Sequence, residues 1–265
     1  MPSFHDFARG LRLLGIARER PVIAHASLSA FGQVNGGAET VLGGLLAAFN
    51  SVVMPAFTYK TMITPEAGPP DNGITYGSGR DHNRMAEFFT PDMPVDSTMG
   101  VVAEALRRHP KAGRSTHPIL SFAGVNAAEI LAAQTLREPL APIQSLAEMD
   151  GWVLLLGVDH TSNTSIHYGE KLAERKQFTR WALTPEGIVE CPGWPGCSDG
   201  FQALASRLEA ARRTARVGDG LIQAFPLGAV AAAVGDAIAE DGRALLCQRE
   251  DCGRCEAVRE SLTYP

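Results

Sequence analysis

The chain has 265 residues, of which 45% are hydrophobic and 20% charged, with a formal net charge of −5. That length sits at the upper end of one domain, and the apolar content is enough for a large core, which excludes wholesale disorder. The mild negative charge argues against a nucleic-acid-binding surface, and no apolar run approaches membrane-spanning length.

In chain order, MPSFHDFARGLRLLGIARER carries apolar residues at helical spacing with interspersed arginines. It lacks a continuous apolar segment and a cleavage site, so it reads as a surface helix ending near Gly15, and the expected compartment is the cytoplasm. PVIAHASL, residues 21–28, reads as a strand leading into a turn that contains Gly36 and Gly37. A helix follows from Gly37 to Phe49. Strand, glycine-rich turn and helix form a βα unit like a phosphate cradle, although neither the dinucleotide fingerprint nor the P-loop ending is present. SVVMPAFTY, residues 51–59, is the next strand. The long segment 60–98 is punctuated by Pro, Gly and Asp and reads as a lid or substrate loop, with a short helical turn at MAEFF, residues 85–89. Residues 99–110 form a helix ended by Pro110, residues 113–125 a polar turn entering a strand, and residues 126–134 and 145–151 two short helices.

Residues 152–158 form a short Leu/Val-rich run of the kind buried on both faces of a sheet. Polar residues follow, and Asn163 or Thr164 is placed to cap a helix opening at Ser165. His167 and Glu170, three apart, share a face of its first turn. The positive end of the helix dipole disfavours an imidazolium there, and a neutral imidazole is a competent general base. Glu170 either orients the ring or itself takes a proton. The Thr164 hydroxyl and the free N–H groups of the first turn suit a developing oxyanion. Without other support, a partly buried structural histidine beside a solvated acid is an equal alternative.

Beyond this unit, QFTRWALTPEGIVE alternates as an antiparallel hairpin about a Pro-Glu-Gly turn. Residues 201–213 read as an amphipathic helix, RVGDGLIQAFPL as strand and turn, and residues 228–241 as an Ala-rich helix. The expectation is a single α/β domain over 1–265, a central mixed β-sheet flanked by helices, with a long loop at 60–98 and a cysteine-containing segment at 190–265. The five cysteines are an odd number for a disulfide framework. Cys252 and Cys255 form a CxxC pair, Cys247 lies five residues earlier, and Cys191 and Cys197 flank a Pro/Gly-rich loop. Cys191, Cys197, Cys252 and Cys255, or a set using Cys247, suit a structural zinc ion, with free thiols or a redox pair as alternatives.

Four stretches resemble the antibiotic N-acetyltransferase family, whose best-known members are the aminoglycoside 3-N-acetyltransferases: HASLSAFGQVNGG (25–37), VVMPAFTY (52–59), the segment 96–124 ending in GRSTHPILSFAG, and LLLGVDHTSNTSIHYGE (154–170). They occur in the family's order and spacing. The resemblance implies an antibiotic N-acetyltransferase-like fold, acetyl-coenzyme A as donor and a small-molecule amine as acceptor, an aminoglycoside antibiotic in the resistance enzymes. The chain is expected to be a monomer or homodimer, and its charge and hydropathy point to no nucleic-acid or membrane partner. The resemblance assigns cofactor contacts to Ser27, Leu28 and Ser29, and to Arg114, Ser115, His117 and Ser121, with Arg114 the natural phosphate partner. It makes His167 the base near the acceptor amine, assisted by Glu170, and Thr164 the oxyanion donor. Asp71, Asp159 and Asp199, with Glu66, are the acids available to a cationic acceptor. The C-terminal part, with CPGWPGCSDGF and CGRC, departs from the best-studied resistance enzymes, so the acceptor stays open between an aminoglycoside and a different amine. A Ser or Cys hydrolase is a poor alternative because the GxSxG elbow is absent. A coenzyme A-binding member without turnover is the remaining one.

Overall fold

The computed structural model describes residues 1–263. Along the chain the strands are β1 (Val22–Ala26), β2 (Val52–Pro55), β3 (Met62–Ile63), β4 (Ala112–Arg114), β5 (Phe122–Val125), β6 (Trp152–Leu156), β7 (Phe178–Thr184), β8 (Gly187–Trp194), β9 (Arg213–Val217) and β10 (Gly220–Pro226). The helices are α1 (Phe4–Leu13), α2 (Gly37–Ala48), α3 (Arg80–Arg84), α4 (Val101–Arg108), α5 (Ala128–Ala132), α6 (Ala141–Glu148), α7 (Ser165–Leu172), α8 (Leu227–Glu240) and α9 (Gly253–Thr263).

Seven strands make one mixed sheet in the order β4-β5-β2-β1-β6-β10-β9. Only its middle is parallel: β1 pairs in parallel with β2 on one side and with β6 on the other, Val22 opposite Trp152 through to Ala26 opposite Leu156. Antiparallel strands flank this centre. β1 and β6 are apolar on both faces, His25 near the end of β1 excepted, because both faces are covered. Ile23, Val153 and Leu155 point into a core shared with α6, α7 and α8 through Ile143, Ile166 and Val234. Val22, Ala24, Leu154 and Leu156 alternate to the other face, against Phe7, Leu45 and Leu106 of α1, α2 and α4. This is the α/β layering expected of the sequence, with a small second sheet, β3-β7-β8, built on the expected hairpin.

Two local expectations give way. The stretch 201–213 is not one helix. It forms two 3-10 turns, Phe201–Leu204 and Glu209–Ala211, and then enters β9. Its apolar spacing serves burial of Phe201, Leu204 and Leu208 in the core, while Arg213 leaves to lie over the Trp152 ring at 4.5 Å and donate to the carbonyls of Leu14 and Gly15. The helical turn expected at 85–89 lies earlier, as α3. The 60–98 segment is tied to the second sheet: β3 pairs with β7, the Asn72 side chain bonds both backbone groups of Thr179, and the Phe89 N–H donates to Leu183.

Gly157 ends β6 with φ +68°, and a Cβ there would collide with the Ala30 Cβ. Both the left-handed backbone and the close approach of the turn after β1 require glycine. Gly157→Ala is expected to lower unfolding free energy by about 2–4 kcal/mol, the combined scale of backbone strain and overpacking. An unchanged urea midpoint would contradict this packing.

Candidate active site

In an open α/β sheet, ligands bind beyond the carboxyl ends of parallel strands at the point where the chain leaves neighbouring strands in opposite directions. Here that point lies between β1 and β6, since the chain passes from β1 to β2 on one side and returns as β6 on the other. The two strands end level, Ala26 beside Leu156, and the Ser27 N–H donates to Leu156 at 2.9 Å. A cleft of about 950 Å³ opens at this place, and Ser27, Ser29, Gly100, Thr164, His167 and Asp199 are among the residues lining it.

His167 is the third residue of α7. Its Nδ1 lies 2.8 Å from Oε2 of Glu170, and the other carboxylate oxygen accepts from Arg175 Nη1 at 3.0 Å. Arg175 also donates to the carbonyls of Ala244 and Gly242, both at 2.8 Å. Glu170 is 2% exposed, so its carboxylate exists in the core only because both oxygens are paired. A carboxylate accepts, so Nδ1 carries the proton and donates. That tautomer leaves the lone pair on Nε2, at the cleft. The Phe201 ring meets the imidazole edge at 4.7 Å and restricts its rotation.

Thr164 is the N-cap residue of α7, yet its side chain makes no capping bond. Asn163 does that work, its Oδ1 accepting from the Ser165 N–H at 3.1 Å. The Thr164 hydroxyl is thereby left at the cleft wall. A second wall is the turn after β1, where the Ser27 and Ser29 hydroxyls lie 3.1 Å apart and Leu28 opens a 3-10 helix. Gly36 and Gly37 both have positive φ and start α2, outside the cleft lining, so they shape the turn and do not face the cavity.

The structure moves several expected residues away from the cleft. Arg114 is tied down: Nε donates to Ser121, Nη2 to the Ala56 carbonyl at 2.7 Å, and Nη1 to the carbonyls of Pro91 and Met93. Burial pulls its guanidinium down to about 10, and four of its five N–H donors are taken by the protein. Ser121 donates to Ala56, Ser115 closes the β4–β5 turn against Phe122, and His117 Nδ1 accepts from the N–H groups of Ile119 and Leu120. None of these four lines the cleft; they brace the end of β2. Of the expected acids only Asp199 reaches the cleft, 3.2 Å from Arg249. Asp159 caps the turn before Asn163 by accepting from the Thr161 backbone and hydroxyl. Asp71 and Glu66 are exposed on the 60–98 segment, away from the cavity.

Several residues that line the cavity carry no role in the sequence reading. Gly100, with φ +83°, opens α4 where a Cβ would press on the Ala26 carbonyl at 3.1 Å. Ser97 and Thr98 precede it. Tyr59 faces Trp194 edge-on at 6.0 Å. Burial, and secondly the Asp96 carboxylate, push its phenol up to about 12, so it stays a donor. Arg254 supplies a guanidinium at the rim. A glycine before an apolar helical run was the one available signal for Gly100.

The sequence profile of aminoglycoside 3-N-acetyltransferase matches residues 23–238, most of the chain. The chain belongs to the aminoglycoside 3-N-acetyltransferase family. Aminoglycoside N(3)-acetyltransferase VII of Streptomyces paromomycinus is 36% identical over 178 residues, covering 63% of this chain and 59% of that relative. The aminoglycoside N(3')-acetyltransferase-like protein YokD of Bacillus subtilis is 32% identical, covering 60% of this chain and 61% of its own length. The chain thus spans about three-fifths of these curated relatives. Among solved structures, apo aminoglycoside acetyltransferase AAC(3)-IVa superposes with a TM-score of 0.78 over 97% of each chain at 24% identity, a likeness of fold.

Within this family member the cysteines sort into two groups. The Sγ atoms of Cys197, Cys247, Cys252 and Cys255 all lie within 4.8 Å of one another, and all four residues are buried. Cys191 is not among them. It sits in β8 with its Sγ 4.0 Å from the Val189 carbonyl, and burial pushes its thiol up to about 12. The four-residue set expected with Cys191 is therefore corrected to one with Cys247.

Burial also holds two histidines neutral, His25 at about 3 and His117 at about 4. In the unfolded chain both protonate near 6.5, so between about 6.5 and these values the unfolded state binds more protons and stability falls as pH falls. For His117 the loss at pH 5 is about 2 kcal/mol. His117→Asn keeps an acceptor for the Ile119 and Leu120 N–H groups and removes the titration. Its urea midpoint is expected to drop less between pH 7.5 and pH 5 than that of the wild type, and an equal drop would show that His117 does not contribute.

Proposed function

We propose that the protein transfers the acetyl group of acetyl-coenzyme A directly to an amine, with His167 as general base. The observation that carries this reading is the His167–Glu170–Arg175 chain at the strand-end cleft: a buried, fully paired carboxylate holds Nδ1–H and presents Nε2 to the cavity. The amine nitrogen attacks the thioester carbonyl carbon and loses a proton to Nε2. The C–S bond then breaks, and the departing thiolate takes up a proton. The Thr164 hydroxyl is the donor available to the oxyanion. Ser27, Ser29, Ser97 and Thr98, with the backbone N–H groups where α4 and the 3-10 turn at Leu28 open, suit the donor's phosphates. A solved relative, AAC-IIIb, binds CoASH, and others bind a gentamicin, apramycin or sisomicin. Those relatives support an aminoglycoside as acceptor and antibiotic resistance as the role, in the cytoplasm where acetyl-coenzyme A is made.

A second reading of the acceptor rests on the cleft's charge. It presents a single aspartate, Asp199, which already faces Arg249, together with the cation of Arg254. A polyamine drug gains from several carboxylates, whereas a less cationic amine needs one. Thiol release across a panel of aminoglycosides and simple monoamines separates the two by the ratio of kcat/KM.

His167→Ala is expected to lower turnover by roughly 10²–10⁴-fold, the range for loss of a general base, with little change in acetyl-coenzyme A affinity. Glu170→Gln is expected to cost about as much. Arg175 claims the amide oxygen, so the amide NH₂ must donate to Nδ1 and the proton moves to Nε2, where it blocks base catalysis. Turnover near wild type in either variant at every pH would place the base elsewhere.

A further inference from the structure

The segment after α8 has a composition and a conformation that hydrophobic packing alone does not explain. Residues 241–252 contain neither helix nor strand, and Leu245 adopts φ +65°. Yet this irregular stretch is buried at Leu245, Leu246 and Cys247 and is followed directly by α9. Cys252 and Cys255 flank the start of α9, the Glu256 N–H donating to the Cys252 carbonyl at 3.0 Å. Cys247 arrives from the irregular stretch, and Cys197 arrives from the loop between β8 and the 3-10 turn at Phe201. Three chain segments thus bring four thiols to one point.

We propose that Cys197, Cys247, Cys252 and Cys255 bind one zinc ion, and that this ion fixes the wall of the cleft carrying Asp199 and Arg254. A tetrahedral four-thiolate site with Zn–S bonds of about 2.3 Å places its sulfurs about 3.8 Å apart. Sulfurs already within 4.8 Å of one another reach that geometry by a contraction of less than about 1 Å, well within side-chain rotation. The surroundings suit the double negative charge of such a site. The Cys247 N–H donates to Cys255 Sγ at 3.4 Å, the kind of backbone bond that steadies a metal thiolate. Arg259 donates to the Cys247 carbonyl at 2.6 Å, and Arg254 lies between the two cysteines of the CxxC pair.

The link to the cleft is one of sequence adjacency. Gly196 and Ser198 flank Cys197, and both line the cavity, as does Asp199. Arg254 joins the two sides: it stands inside the CxxC pair, lines the cavity, and donates to the Gly196 carbonyl at 2.8 Å. Pinning the four sulfurs therefore pins the acceptor-side rim. Metal binding is independent of the transfer chemistry, while its effect on the cleft rests on that reading.

The test begins with elemental analysis of untagged wild-type protein purified without added zinc, where about one zinc per chain is expected. Cys191→Ser should keep the metal, and the double variant Cys252→Ser/Cys255→Ser should hold less than about a tenth as much. Cobalt(II) replacing the zinc should give the intense visible bands of a tetrahedral thiolate complex, a readout that needs no acceptor. Removal of zinc from the wild type by a strong chelator should raise the KM of the amine on the order of tenfold or more, with the KM of acetyl-coenzyme A changing far less. Wild-type protein with zinc near zero, and with these four cysteines found as free thiols or as disulfides by mass spectrometry, overturns the proposal whether or not the double variant folds. Full zinc with an unchanged amine KM after its removal overturns the coupling to the cleft. Loss of transfer activity in protein that still gives the cobalt spectrum counts against the transfer reading alone.

Discussion

A carboxylate with 2% exposure is stable in the core only if something pays its desolvation, and the structure around Glu170 follows from that requirement. Arg175 answers one oxygen and His167 the other. Arg175 is itself buried, and it also donates to the carbonyls of Gly242 and Ala244. One ion pair therefore fixes the histidine tautomer, the end of α7, and the path of the chain after α8. A neutral hydrophobic replacement of similar volume would keep the packing, but it would not hold the imidazole with its lone pair toward solvent.

The sheet explains why this group stands at a cavity. Three parallel strands in the middle give one end where loops diverge, and antiparallel flanks close the rest. The turn after β1 and the start of α4 bring the N-terminal ends of two helical segments to that end, while the turn after β6 brings His167 and Thr164. The two facing walls of the cleft thus come from adjacent strands, and the second sheet and the 195–200 loop supply the third side.

Much of this was legible in the sequence because it is local. The β6–loop–α7 unit shows as an apolar run, a polar turn and an i, i+3 pair, and the structure keeps all three. What depends on distant partners was not legible. Arg175 is five residues from Glu170, and it returns to it only because Glu174 adopts φ +56° and reverses the chain. The stretch 201–213 carries helical spacing, but the core pulls in Phe201 and Leu208 while Trp152 draws Arg213 into a strand. Arg114 sits in a motif that suggests phosphate contact, and only the fold reveals that backbone carbonyls from two segments, with the Ser121 hydroxyl, take four of its five donors. The choice of Cys247 over Cys191 likewise depends on β8 carrying Cys191 away from α9.

The pairing of β1 with β6 joins residues about 130 positions apart, Val22 to Trp152. Contacts of that separation demand large loop closure before they contribute, which slows folding and leaves the intervening chain to organise first. During synthesis the N-terminal layer of α1, α2, β1 and β2 emerges with one flank of β1 uncovered, a hydrophobic edge awaiting a strand made later. The cleft end of the sheet is therefore completed late, and the nascent chain's greatest exposure to misassociation falls in the interval before β6 arrives.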